Sequence, residues 1–330
     1  MKALICGIGG QDGAYLAKLL LDKKYEVWGT SRDAQMTEFR NLRALRVEQQ
    51  VKLCSMAPTD FRSVLSVLAR SQPDEVYFLA GQSSVGLSFE QPVETLESIT
   101  VGTLNMLEAI RFLGGKIRLY HASSSESFGD VGLIPANEST PFHPRSPYAV
   151  AKASAHWMVA NYREAYGLFA CNGILFNHES PLRPARFVTR KIVDSAVRIA
   201  AGSDEKLVLG RLDIVRDWGF APEYVDAMWR MLQLDRPSDF VIATGSSASL
   251  EDFVKAVFLN LGLDWSDHVV SDKMFFRPSD IDWSQGDPGL AGKVLGWEAK
   301  TRMPALVKLM VEAGQSVVDL LPSSKNIDAA

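Results

Sequence analysis

The sequence predicts an α/β protein built on a doubly wound parallel sheet, with a smaller C-terminal α/β lobe. Three observations carry this expectation. Apolar strand-like runs alternate with helix-like segments through the first half, and a glycine-rich turn joins the first strand to the first helix. After Asn177 the rhythm changes to scattered prolines and shorter elements. Residues 3–6 read as a short buried strand and 15–21 as an apolar-faced helix. Strands follow at 25–30, 51–54 and 75–79, with a helix over 61–69. A long helix over about 93–112 leads to a fifth strand at 117–121, and a helix over 148–165 to a sixth at 169–175. Strands that are continuously apolar are covered on both faces, as in parallel sheets. Residues 1–178, with about 212–247 crossing back, are expected to form a nucleotide-binding domain. Residues 179–211 and 248–330 are expected to form the substrate lobe, and the final SSKNIDAA to fray.

Composition narrows the classes. With 330 residues the chain can bury a large core, and 47% apolar and 22% charged residues are ordinary for a soluble globular enzyme. A net charge of −4 argues against nucleic-acid binding, which needs a basic surface to neutralise phosphates. No apolar run approaches the roughly 20 residues that cross a bilayer. The start MKALICGIGG has no cleavage-site pattern, so neither a membrane span nor a signal peptide is expected. Cys6, Cys54 and Cys171 lie far apart in apolar segments, which suits reduced core thiols of a cytoplasmic protein. The five histidines form no pair at ligand spacing, so no metal is expected.

Gly7-Ile8-Gly9-Gly10-Gln11-Asp12-Gly13 departs from GxGxxG, because Asp12 holds the third position of that spacing. It fits GxxGxxG through Gly7, Gly10 and Gly13. Missing side chains allow a tight turn, let backbone amides approach a pyrophosphate, and let helix and strand pack closely. A glycine turn alone is commonly structural; between an N-terminal strand and a helix it predicts a dinucleotide site. Leu79, Ala80 and Gly81, at the end of the fourth strand, are assigned to the same site. The residue meeting the adenosine ribose should lie about 20 positions beyond the glycines. There the chain reads Gly29-Thr30-Ser31-Arg32-Asp33. Arg32, with Arg40, suits a 2′-phosphate and hence NADP, whereas Asp33 suits the free ribose of NAD. Arg32 comes first, and NADP is the expectation.

At the end of the fifth strand stands HASSSESFG, residues 121–129, with four serines around the single carboxylate Glu126. Serine and glycine favour turns, so a solvated loop is the bland reading. The carboxyl ends of parallel strands, however, are where ligands bind in such sheets. Tyr148 and Lys152 lie 24 residues or more beyond Ser124 as a YxxxK pair, and i,i+4 positions share one helix face. An ammonium beside the phenol is expected to lower a pKa that is ordinarily about 10 and so make Tyr148 a base for a substrate hydroxyl. An ordinary amphipathic helix also yields YxxxK by chance; the glycine turn and the serine-rich strand end count against that.

Together GxxGxxG, a hydroxyl-bearing strand end and YxxxK resemble the extended short-chain dehydrogenase/reductases, a Rossmann-type superfamily acting mainly on nucleotide sugars. Longer stretches resemble the GDP-mannose 4,6-dehydratase subfamily: GQDGAYLAKLLL, PFHPRSPYAVAK, NGILFNHESPLR with FVTRK, RDWGFAPEYVDAMW, DFVIATG, and FFRPSDID with LGW. The resemblance runs from Gly7 to about Gly314. It implies oxidation of the sugar C4 hydroxyl with hydride passed to NADP, removal of the acidified C5 proton, loss of water from C6, and return of the hydride to C6. Tyr148 is then the C4 base and Lys152 orients it and the nicotinamide ribose. Ser124 stands where the family has Thr, Ser125 matches its Ser, and Glu126 handles the C5 proton and the leaving hydroxyl. The resemblance also implies Ser83, Ser84 and Asn177 at the sugar, and Arg216 and Arg277 at the diphosphate. Val188 and Lys191 are implied at the guanine, Asp280 at the ribose, and Arg183 at the cofactor.

The chain departs from the family pattern in several places. Ala57 replaces an Asp at the adenine, Asp33 replaces a second Arg, Arg211 replaces an Asn and Val215 a Lys. A dehydratase of another GDP-sugar, such as a GDP-heptose, is therefore an alternative, as is a GDP-4-keto-6-deoxysugar reductase or epimerase, which would not need Glu126. The Arg-rich loop around Arg32 bridges subunits in family members, and a homodimer or homotetramer is expected.

Overall fold

Lys2–Cys6 forms β1, whose side chains alternate between the two buried faces of the main sheet: Ala3 and Ile5 on one face, Leu4 and Cys6 on the other. This computed structural model describes residues 1–318, and the expected fraying of SSKNIDAA lies outside the described residues. β2 (Glu26–Ser31), β3 (Lys52–Ser55), β4 (Glu75–Phe78), β5 (Arg118–Ser124) and β6 (Ala170–Leu175) follow in turn. Beyond them come β7 (Asn177–Glu179), β8 (Leu207–Leu209), β9 (Val215–Phe220), β10 (Phe240–Ile242), β11 (Ser247–Ser249) and β12 (Val269–Ser271). The main sheet has seven strands in the order β10-β6-β5-β4-β1-β2-β3, every neighbouring pair parallel. Strand order reverses between β1 and β4, which opens a crevice at the carboxyl ends there.

Helices cover both faces. Gln11–Asp22 and Ala221–Leu232 bury Leu16, Leu20, Met228 and Met231 against one face. Phe61–Ser71 and Gly102–Phe112 bury Val64, Leu68, Met106 and Ile110 against the other. The helix Pro147–Tyr166 starts with Pro147 at its first position and the Ser146 hydroxyl accepting from the Ala149 amide at 3.1 Å. A cap of this kind contributes about 1 kcal/mol. Gly167, at φ +67°, ends the helix in the left-handed conformation that glycine takes most readily.

The long helix expected over 93–112 is composite. Pro92–Leu96 is α-helical, Glu97–Val101 widens into a π-turn, and Gly102–Phe112 resumes the α-helix. A second core gathers Ile192, Val193, Leu209, Trp218, Phe253 and Met310. It lies beside two small sheets: β11-β9-β7, and the parallel pair β12-β8. β9 joins this region although β10 returns to the main sheet beside β6.

Candidate active site

Between the main sheet and the second core lies a cleft of about 920 Å³. Of the glycine turn, Asp12 lines it, as does Leu79 from the end of β4. Gly7 has φ +88°, and a Cβ there would stand 3.1 Å from the Ala80 nitrogen and 3.2 Å from the Leu79 carbonyl carbon. A Cβ on Gly13 would stand 2.5 Å from the Gly7 oxygen. Only glycine fits these positions without moving backbone, and the result is a bare cradle of the kind a pyrophosphate occupies. Gly10 closes the turn by donating its amide to the Gly7 oxygen at 3.1 Å. Gly81 follows Ala80 at φ +136°.

Gln11 and Asp12 serve the wall of the site. The Gln11 amide donates to the His178 carbonyl at 3.1 Å and its oxygen accepts from the Ser180 hydroxyl at 2.7 Å. His178 Nε2 lies 2.8 Å from Asp12 and Nδ1 lies 2.7 Å from the Phe176 carbonyl, so both ring nitrogens face acceptors. Burial works against charge on both partners, but each outweighs it for the other: His178 titrates above the usual range and Asp12 below it. His178 escaped sequence reasoning, although it lies inside the NHES stretch; 166 positions separate it from Asp12 and no local pattern links them. Arg183 lines the cleft nearby, 3.0 Å from Glu179 and stacked 3.7 Å over the Phe187 ring.

β5 runs three residues past the expected end, so the first serines of HASSSESFG belong to the strand. Ser125–Phe128 is a short 3-10 turn, and the Ser124 hydroxyl caps it by accepting from the Glu126 amide at 3.3 Å. Ser124 and Ser125 are buried and Glu126 is partly exposed in the cleft. Burial raises the Glu126 pKa, and the charges of Arg216 and Arg277 offset that only in part. The buried Ser127 hydroxyl has no hydrogen-bond partner among the described residues.

Tyr148 and Lys152 reach the same cleft from the first turns of their helix. The expected lowering of the Tyr148 pKa does not occur in the chain alone: burial pushes the phenol up to about 12, and the Ser124 hydroxyl opposes this without cancelling it. The reason is geometric. The Lys152 ammonium donates to the Ala122 carbonyl at 2.7 Å and stands 5.8 Å from the phenol ring centroid. Burial also brings Lys152 down to about 8.

The second wall and the loop after β4 bring the remaining expected residues together. Asn177 opens β7, and Val188 and Lys191 lie in the first turn of the helix Val188–Ala200. The Lys191 ammonium donates to the Val208 carbonyl at 2.7 Å and sits 4.9 Å over Phe275. Buried Arg216 donates to the Ile281 carbonyl at 2.8 Å and to Asp280 at 3.1 Å, while Arg277 stands 3.5 Å from the same carboxylate. Asp280 thus holds two guanidinium groups toward the cleft. Ser83 and Ser84 line the cleft from the loop after β4.

Arg32 and Arg40 lie apart, on the exposed surface beyond β2. Arg32 is 3.5 Å from Glu94, and Arg40 pairs with Glu38. Asn41, next to Arg40, donates to the Gly9 carbonyl at 3.1 Å and ties this segment to the glycine turn. Among the described residues no cluster of His, Cys, Asp and Glu could hold a metal, and no helix is long and apolar enough to cross a membrane. Cys6, Cys54 and Cys171 are buried free thiols.

The chain is similar to known proteins in sequence and in fold. The family model for GDP-mannose 4,6 dehydratase matches residues 4–310. The chain is 47% identical over 320 residues to GDP-mannose 4,6 dehydratase 1 of Arabidopsis thaliana, covering 94% of this chain and 88% of that protein. In structure it is similar to dTDP-glucose 4,6-dehydratase from Bacillus anthracis in complex with NAD, at TM-score 0.84 and 19% identity, covering 97% and 98% of the two chains. It is also similar to RMD from Pseudomonas aeruginosa complexed with NADPH, at TM-score 0.77 and 21% identity, covering 96% and 99%. The two structural likenesses concern the fold, and the sequence matches reach from the glycine turn through Tyr148 and Lys152 to the Arg277 segment. On these matches the chain belongs to the GDP-mannose 4,6-dehydratase family.

Proposed function

We propose that this chain converts GDP-D-mannose to GDP-4-keto-6-deoxy-D-mannose, with NADP as a cofactor regenerated in each cycle. The observation that carries the reading is Glu126, which lines one cleft with Ser124, Tyr148 and Lys152. A simple hydride-transfer enzyme needs no such carboxyl group; an elimination does. Residues 1–178 with about 212–247 form the dinucleotide domain in this reading, and 179–211 with 248–330 the GDP-sugar lobe. The glycine cradle at Gly7, Gly10 and Gly13, with Leu79 to Gly81 beside it, takes the pyrophosphate. Lys152 takes the nicotinamide ribose.

When bound, the oxidised dinucleotide supplies a hydride acceptor and a positive charge beside the phenol. Tyr148 accepts the C4 hydroxyl proton, and Ser124 donates to the C4 oxygen. Glu126 then removes the C5 proton. Its raised pKa suits it to deliver that proton to the departing C6 hydroxyl, so that water leaves and no net proton is consumed. Arg216 and Arg277 face the diphosphate, Asp280 the ribose, and Val188 and Lys191 the guanine.

The NADP assignment rests on what Asp33 does. Its carboxylate accepts from the Gln35 and Met36 amides at 3.0 and 3.1 Å, which commits it to its own turn. Arg32 and Arg40 are held only by exposed ion pairs, which cost little to exchange for a phosphate. A cytoplasmic setting fits the reduced thiols. Self-association is supported by an exposed apolar face: Val93 and Leu96 on the helix Pro92–Leu96, with Val150 and Trp157 on the helix packed against it. Another GDP-sugar is the second reading, supported by Arg211, which pairs with Asp213 and Asp282 at the cleft rim where the family has an Asn.

Incubation with GDP-mannose and trace NADP, followed by detection of a 4-keto product, tests the activity. Glu126→Gln tests the mechanism: product formation and C5 deuterium exchange should fall by about 100-fold or more, while C4 oxidation in a single turnover persists. Normal exchange in that variant removes Glu126 from its role.

A further inference from the structure

Four arginines of the cleft are matched by carboxylates: Arg183 at 3.0 Å from Glu179, Arg211 at 2.7 Å from Asp213, Arg216 at 3.1 Å and Arg277 at 3.5 Å from Asp280. Arg186 lines the same cleft and, among the described residues, has no carboxylate partner. It lies just before the helix Val188–Ala200, on the second wall. Its guanidinium crosses to the first wall, where it stands 3.3 Å from the Ser83 hydroxyl. The Phe187 ring, 5.3 Å from the guanidinium carbon, flanks it.

Ser83 follows β4, and β4 pairs with β5, whose end carries Ser124 and leads into Glu126. The Arg186 head is therefore held beside the loop after β4, where Ser83 is expected at the sugar. The diphosphate candidates Arg216 and Arg277 share Asp280, and their charges reach Glu126. A serine hydroxyl can accept one bond from a guanidinium but offers no opposing charge, so donors remain for a ligand. A hexose presents several oxygens at that distance scale, and a charge-assisted bond to one of them is stronger than a neutral one.

Building on the proposed function, we infer that Arg186 is a specificity-determining contact for the sugar of the GDP-sugar, donating to a hydroxyl oxygen of the hexose. Exposed Arg186 supports no core packing, so its replacement leaves the fold intact. The test compares GDP with GDP-mannose by calorimetry on wild type, Arg186→Ala and Arg186→Lys. In Arg186→Ala the GDP-mannose Kd should rise about tenfold or more, with the GDP Kd unchanged and the melting temperature retained. Arg186→Lys, which keeps the charge but loses the fork, should fall between. In turnover the loss should appear in KM far more than in kcat.

Parallel weakening of GDP and GDP-mannose overturns the inference, because Arg186 would then read diphosphate charge. Unchanged binding of both overturns it, as does a wild type in which the mannose adds nothing to GDP binding. Failure of the wild type to turn over GDP-mannose counts against the proposed function instead, and the two binding constants still decide the role of Arg186.

Discussion

His121 sits one residue before Ala122, whose carbonyl receives the Lys152 ammonium, and it is buried against Phe78 and Asn172. Burial first, and then the Lys152 charge, push its pKa down to about 3, although the Asn172 hydrogen bond opposes them. The same desolvation dominates at Tyr148 and Glu126, where it acts in the opposite sense because their charged forms are anions. This is why YxxxK was legible as a pair while the protonation of its tyrosine was not: spacing puts two residues on one face, but depth and hydrogen bonding decide their titration. For His121 the consequence is a stability effect. Between its ordinary value of 6.5 and about 3 the unfolded chain takes up a proton that the folded chain refuses. Stability contributed by neutral His121 is therefore present above that window and falls as pH drops through it, at up to about 1.4 kcal/mol per pH unit. Urea unfolding from pH 7 down to pH 4 should show a smaller loss in His121→Gln than in wild type. Parallel curves would remove His121 as a source of acid sensitivity.

At the scale of elements, legibility followed burial. The six strands expected in the first half are present; the central ones, β1, β4, β5 and β6, are buried almost throughout, while the edge strand β3 leaves Lys52 and Ser55 exposed, and β1 shows the two-faced alternation residue by residue. The short later strands carried no such signal. β11 is Ser-Ala-Ser, and three residues are too few to display a period. The π-turn at Glu97–Val101 was equally silent, since its residues continue an ordinary helical pattern. The glycine turn was legible as a turn, and the structure adds why Gly13 is required: its missing Cβ is the space taken by the Gly7 carbonyl. Gly13→Ala forces backbone against backbone, so the turn must shift at the end where the cradle lies. The variant should weaken NADP binding, measured by calorimetry, by about tenfold or more. It should still fold, because the helix it opens keeps its buried leucines. Unchanged NADP affinity would place the dinucleotide elsewhere.

At the scale of the whole molecule, two cores meet at the cleft, and the residues of the proposed chemistry come from both. The sequence pattern located them one by one; their convergence depended on contacts such as Asp12 with His178 and Arg186 with Ser83, which span 166 and 103 positions. One surface remains open on this account. Trp157 is 62% exposed and Val150 46% exposed, seven positions apart and thus on one helix face, with Val93 65% exposed on the neighbouring helix. Large apolar side chains gathered on adjacent helices are more than scattered surface residues and mark a contact face. A second copy fits it best, because one symmetric face can serve both partners in a two-fold dimer. Wild type should elute with the mass of a dimer or a tetramer in size-exclusion chromatography with light scattering. Val150→Glu combined with Trp157→Glu should shift it toward a smaller species, since burying two carboxylates in that interface is strongly unfavourable. The doubly substituted chain should keep its far-ultraviolet circular dichroism, because both side chains point away from the cores. A wild type that is monomeric at micromolar concentration, or a variant with unchanged mass, would show that this face is not where copies of the chain meet.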